Sequence, residues 1–166
     1  MKLPEELQFI ANARMTQKTT DARMDGRVCI ITGATSGVGY QAVRRLARGG
    51  AHIVMVCRNA QKAARVKQEI AQEFQAKVDC IQADFSRFGD VRKAAAEILQ
   101  KYPRIDVLIN NAGVHYTHRT LNENGIEIVF AVNHLASFLF TRLLLDRLAE
   151  SAPARILQVN SQGHRF

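Results

Sequence analysis

Gly33, Gly37 and Gly39, spaced GxxxGxG with Thr35, Ser36 and Val38 among them, make a turn suited to an anion. The apolar run Val28–Ile31 leads into it as a buried strand, and a helical pattern from about Val38 to Arg48 leads out. A phosphate approaching the amino end of that helix meets unpaired N–H groups and the positive end of the helix dipole. Glycine removes the side chains that would block the approach, while Thr35, Ser36 and Val38 line the turn with N–H and hydroxyl donors. The spacing is not GxGxxG, yet tight turn, close backbone approach and close helix packing are the same physical requirements. This is the opening of a dinucleotide-binding unit.

The second apolar run, Ala51–Cys57, ends in Cys57-Arg58-Asn59. An acid at the end of this strand would hold a ribose 2′-hydroxyl, and none is there. A guanidinium at Arg58 can grip a 2′-phosphate that a carboxylate would repel, so NADP(H) is favoured and NAD(H) stays possible. The alternative is an Arg58 that points into solvent. Cys29, Cys57 and Cys80 lie in or at the end of strand-like runs, with no CxxC pair and no histidine at metal spacing. All three read as small buried hydrophobes, and no metal is expected.

These residues need a frame, and the sequence supplies one. Asn59 to about Gln75 is a helix with Ala63, Val66, Ile70 and Phe74 at steps of three and four. Val78–Ala83 is a third strand; Ser86 caps a helix that runs to about Lys101 before Pro103; Ile105–Ile109 is a fourth strand. A long helix with a wide apolar face spans about Gly125–Glu150, and Arg155–Val159 is a fifth strand. Alternating strands and helices, with strands apolar on both faces, give an α/β Rossmann-type doubly wound parallel sheet. Right-handed crossovers set the order 3-2-1-4-5, with ligand outside the carboxyl ends of strands 1 and 4.

A 47% hydrophobic content in 166 residues suits one domain, here residues 27–166, preceded by an appendage at 1–26. In that appendage Pro4-Glu5-Glu6 can open a short helix with a stripe of Leu3, Leu7 and Ile10, packed loosely or mobile. No apolar run long enough to cross a bilayer and no signal-peptide core is evident, so a cytoplasmic location is expected. The net charge of +8 is spread along amphipathic helices among glutamates, which favours a general pull on anionic ligands over a nucleic-acid face.

The motifs taken together are specific. They are Thr32-Gly33-Ala34-Thr35-Ser36-Gly37-Val38-Gly39, Asp84, Asn110-Asn111-Ala112-Gly113, Val132-Asn133-His134-Leu135 and Arg155 through Ser161. In this order the sequence resembles the classical short-chain dehydrogenase/reductase family. Cys57-Arg58-Asn59, Val132 through Leu135 and the tail Ser151–Phe166 place the resemblance in the branch with retinol dehydrogenases and the WW-domain-containing oxidoreductase.

The resemblance implies hydride transfer between nicotinamide and a small apolar carbonyl or alcohol substrate, with a homodimer possible. It makes Asp84 the adenine contact with Phe85 beside it, although an acid there also suits a helix amino end. It gives Asn111, Ala112, Gly113 and Val132 to the cofactor wall, Ser161 to the substrate oxygen, and Asn133 to a relay water held from a distorted helical turn. Asn160 departs from the family's frequent serine pair. The family's Tyr-x-x-x-Lys falls after the serine, and none of Tyr40, Tyr102 and Tyr116 fits it. The chain alone is therefore expected to be inactive, and a catalytically silent NADP(H)-binding sensor or interaction module is the alternative. Strand 5 is expected to expose an apolar edge.

Overall fold

Five apolar runs become five parallel strands, the inner three burying both faces beneath helices. They are β1 (Val28–Thr32), β2 (His52–Cys57), β3 (Val78–Gln82), β4 (Val107–Asn110) and β5 (Arg155–Gln158), ordered β3-β2-β1-β4-β5. The computed structural model describes Thr16 and residues 20–161. The expected short helix near Pro4, the stripe Leu3, Leu7 and Ile10, and the tail His164-Arg165-Phe166 lie outside the described residues.

The alternation of side chains along each strand divides the core into two layers. Ile30, opposite Val54 and Leu108 in register, packs with them toward α3 (Phe88–Lys101) and α5 (Ser137–Glu150). Ile31, opposite Met55 and Ile109, packs toward α1 (Gly37–Arg48) and α2 (Ala60–Phe74). Each fully buried side chain of this size contributes roughly 1.5–3 kcal/mol, so the two layers hold the sheet between its helices. Residues 20–26 are tied to the turn after α1, where the Met24 amide donates to Gly49 at 2.7 Å and Arg45 donates to the Thr20 carbonyl at 2.6 Å.

The ends of the elements hold the corrections. Asn59 caps α2 by accepting the Lys62 amide at 2.8 Å. Ser86 does not cap α3, which starts at Phe88 after Arg87. Instead the amide and hydroxyl of Ser86 both donate to Asp84 Oδ1, at 2.9 and 2.8 Å, so a local carboxylate has captured the intended cap. The long helix begins later than Gly125 and is not uniform: α4 (Ile128–Phe130) passes through a π-helical turn, Ala131–Ala136, into α5. Glu127 starts it by accepting the amides of Val129 and Phe130 at 3.0 and 2.8 Å, which holds its carboxyl below the usual range. Gly125, at φ 73°, belongs to the preceding turn.

The continuous stretch Ile128–Glu150 holds an 18-residue window of mean hydropathy 1.7 and is long and apolar enough to cross a membrane, contrary to the sequence expectation. In this fold Ala136, Phe140, Leu144 and Leu148 form its core face, while Phe130 and Phe138 lie exposed. Cys29 and Cys57 are buried as expected, burial pushing their thiols up to about 12 and about 11. Cys80 is only partly buried, because β3 is an edge strand. All four residues of β5 are exposed, Ile156 and Leu157 among them.

Candidate functional site

The sheet order reverses between β1 and β4, and the turn that leaves β1 there needs its glycines for three separate reasons. Gly33 has φ 66°, and a Cβ on it would stand 2.8 Å from Ala112 Cα. A Cβ on Gly39 would stand 2.4 Å from Asn111 Nδ2 and 2.6 Å from the Gly33 carbonyl oxygen, so α1 is pressed against the turn. Gly37 has φ 57° but faces open space, with nothing within 4 Å of its would-be Cβ. The turn is braced from β4: Asn111 Nδ2 donates to the carbonyls of Thr32 and Gly33 at 2.9 and 3.1 Å. Thr32 Oγ1 accepts the amides of Asn111 and Ala112 at 3.0 and 2.9 Å.

Beside this turn lies a cleft of about 560 Å³. Gly33, Thr35, Ser36 and Val38 line its middle, Val38 with 67% of its surface exposed. On the β2–β3 side it is lined by Arg58, Asn59, Lys62, Asp84, Phe85 and Ser86, and on the β4–β5 side by Asn111, Ala112, Gly113, Val114, Tyr116, Ile128, Val132 and Val159. The two sides differ chemically. The first offers two cations and a carboxylate; the second is a mostly apolar wall with one carboxamide, Asn111, and one phenol.

Cys57, at the end of β2, is buried with its thiol raised by burial, so no anion stands at that position. Among the described residues neither Arg58 nor Lys62 forms an ion pair. Arg58 is fixed through its backbone, its carbonyl accepting Gln82 Nε2 at 3.3 Å, which leaves the guanidinium directed by its own torsions. Asn59 lines the cleft but has its side-chain oxygen engaged as the α2 cap. Asp84 is folded toward Ser86, and Phe85 is buried edge-on against Phe140, with ring centroids 5.4 Å apart.

The expected site residues are thus mostly brought together, with four exceptions. Gly37 and Gly39 shape the turn without lining the cleft. Asn133 sits in the π-helical turn, and both of its amide atoms engage Val114: Oδ1 accepts the Val114 amide at 2.8 Å and Nδ2 donates to the Val114 carbonyl at 3.0 Å. It therefore fixes the strand as it leaves β4. Ser161 is exposed two residues beyond Val159 and is not among the lining residues.

Lys62 and Tyr116 are lining residues that the motifs do not announce. For Lys62 a signal exists: it stands in the first turn of α2, which has no acid, where a cation opposes the helix dipole. A cation placed against its own helix calls for an anionic neighbour. Tyr116 lies in a loop whose spacing carries no such signal.

A family model described as short chain dehydrogenase matches residues 27–165. Human retinol dehydrogenase 13 is 40% identical over 144 residues, covering 86% of this chain and 44% of that protein. Human WW domain-containing oxidoreductase is 33% identical and covers 99% of this chain and 44% of its own length. Among solved structures, a metagenomic short-chain oxidoreductase in complex with NADP superposes with a TM-score of 0.72 at 28% identity, covering 80% of this chain and 61% of that one. The chain spans less than half the length of these curated relatives.

Proposed function

Because the chain belongs to the short-chain dehydrogenase family, we propose that it is the dinucleotide-binding part of an oxidoreductase that uses NADP(H). The observation that carries this reading is the glycine turn, where Cβ atoms at Gly33 and Gly39 have no room and the helix amino end opens on the cleft. A diphosphate fits that bare backbone. When bound, the nicotinamide supplies or accepts the hydride.

The chain's own residues have the remaining tasks. Thr35, Ser36 and the backbone to Val38 donate to the diphosphate, while Asp84 and Phe85 hold the adenine end. Arg58 and Lys62 meet the 2′-phosphate, since both cations line the same side and Cys57 offers no charge. The NADP complex among the similar structures supports the same choice over NAD(H).

Asn111, Ala112, Gly113 and Val132 back the ribose and nicotinamide side. Asn133 keeps that wall in place through Val114. Ser161 holds the substrate oxygen, a role resting on the family resemblance. The apolar face made by Val114, Tyr116, Ile128 and Val159 suits an apolar carbonyl or alcohol, in keeping with the name retinol dehydrogenase on one relative.

Titration with NADPH and NADH, followed by nicotinamide fluorescence, tests the cofactor reading. NADPH should bind about 10-fold more tightly or better, a difference of about 1.4 kcal/mol. Arg58→Glu should erase or reverse that preference. Equal affinity for the two nucleotides, or a preference indifferent to Arg58→Glu, contradicts it.

A further inference from the structure

The loop from β4 to α4 is folded around one side chain. Asn122 Oδ1 accepts the amides of Asn124 and Ile126, both at 3.0 Å. Its own amide donates to the Ile126 carbonyl at 2.8 Å, and its carbonyl accepts the Gly125 amide at 3.0 Å. With the acceptor used inside the turn, Nδ2 is directed outward and donates to the Ser86 carbonyl at 3.1 Å. Arg87 and Glu123, 3.6 Å apart, make a second, exposed link between the same two segments.

Ser86 closes the turn begun by Asp84, on the β3 side of the cleft. That turn follows an edge strand and precedes a helix without a side-chain cap, and its own side-chain hydrogen bonds all fall within residues 84–90, so Asn122 ties its polar backbone to a distant segment. Its other ties are the two Ser86 bonds to Asp84, the Arg87 amide donating to the Asp84 carbonyl at 3.0 Å, a long 3.4 Å bond from the Asp84 amide to Asp90, and the packing of Phe85 on Phe140. The geometry points to Asn122 as a positioning residue: holding the Ser86 carbonyl, it fixes the Asp84–Ser86 turn against which the adenosine end of the dinucleotide rests. The inference builds on the cofactor proposal above. A turn already held in place loses less freedom when a ligand docks on it, so the bond acts on affinity without touching the ligand.

Asn122→Asp separates the two tasks of this side chain. It keeps an acceptor for Asn124 and Ile126 and removes the donor to Ser86. Calorimetric titration with adenosine 2′,5′-bisphosphate should show binding weakened about 3- to 10-fold, the range of one lost hydrogen bond. NADPH should weaken by a similar factor while the NADPH-to-NADH ratio stays at its wild-type value, because Arg58 and Lys62 are unaltered.

If Asn122→Asp does not fold, Asn122→Ser, whose shorter side chain keeps a weaker turn acceptor, should give the same loss. Wild-type affinity in the variant that folds overturns the positioning role, since a side chain that served only its own loop would be rescued. A wild-type protein that binds no adenosine 2′,5′-bisphosphate removes the cofactor proposal and this inference together.

Discussion

The two ends of the sheet treat charge in opposite ways. At the amino ends of the strands, Asp106 is buried and accepts from Arg27 at 2.7 Å, from the Val28 amide at 2.9 Å and from Arg104 at 2.7 Å. Asp79 is held there by His52 at 2.7 Å and by the Tyr102 hydroxyl at 3.0 Å, with Lys67 nearby. At the carboxyl ends, Arg58 and Lys62 line a cleft without an ion pair among the described residues. Saturated charges lock strands together, whereas uncommitted ones are available to a ligand. One end holds the strands, and the other is the end we propose for binding.

Substitution at the holding end should give the largest loss of stability. Asp106→Ala leaves the Val28 amide unpaired, takes the shared partner from two half-exposed guanidinium groups and empties a buried site, and urea unfolding should show a loss of about 3 kcal/mol. The same carboxylate sets an acid limit. Burial pushes its pKa up, but bonds from Arg27, Val28 and Arg104 outweigh burial and hold it below 3.8. Its contribution is therefore complete above the unfolded value and is lost as pH falls through the lower folded one. Acid unfolding below about pH 4 should be shallower in Asp106→Ala than in wild type, and an unchanged acid limb would break the comparison.

Next in size is Gly39→Ala, where the new methyl is forced onto Asn111 and the Gly33 carbonyl. Overpacking of this kind costs about 2 kcal/mol, and NADPH binding should fall with it. Gly37→Val should behave differently, with a cost of about 1–2 kcal/mol from its left-handed backbone and open space around the side chain. Binding should disappear while the fold stays, as judged by circular dichroism beside the titration. Tyr102→Phe removes only the hydroxyl bond to Asp79, for a loss of about 1 kcal/mol and no effect on the cofactor. Arg58→Glu should have the smallest effect on stability, within about 0.5 kcal/mol, together with the clearest effect on nucleotide preference.

The fold was largely legible because its signal is carried by long apolar runs, which few tertiary accidents can override. Val28–Ile31 and Ala51–Cys57 could hardly be placed outside a covered sheet, and their order follows from crossover handedness. The element ends were less legible because several local partners compete for each polar group. Ser86 reads as a cap from its type and its place before a helix, but the carboxylate two residues away takes both of its donors.

The site divided along the same line. The glycine turn and Arg58 could be named from residue type, since few other residues can do what they do. Lys62 becomes visible only when α2 is set beside the end of β2, although its awkward place in the first helical turn hinted at it. Asn122 depends on a bond to Ser86 across 36 positions, and no local pattern encodes that distance. Asn133 was placed in a distorted turn as the resemblance implied, but its amide is engaged with Val114.

A crystal structure of the protein grown with NADP+ tests the central claim most directly. The account predicts the diphosphate against the backbone from Thr35 to Val38 and the 2′-phosphate within hydrogen-bond reach of Arg58 and Lys62. A nucleotide whose 2′-phosphate lies away from both cations, or a cleft left empty at saturating nucleotide, would contradict it.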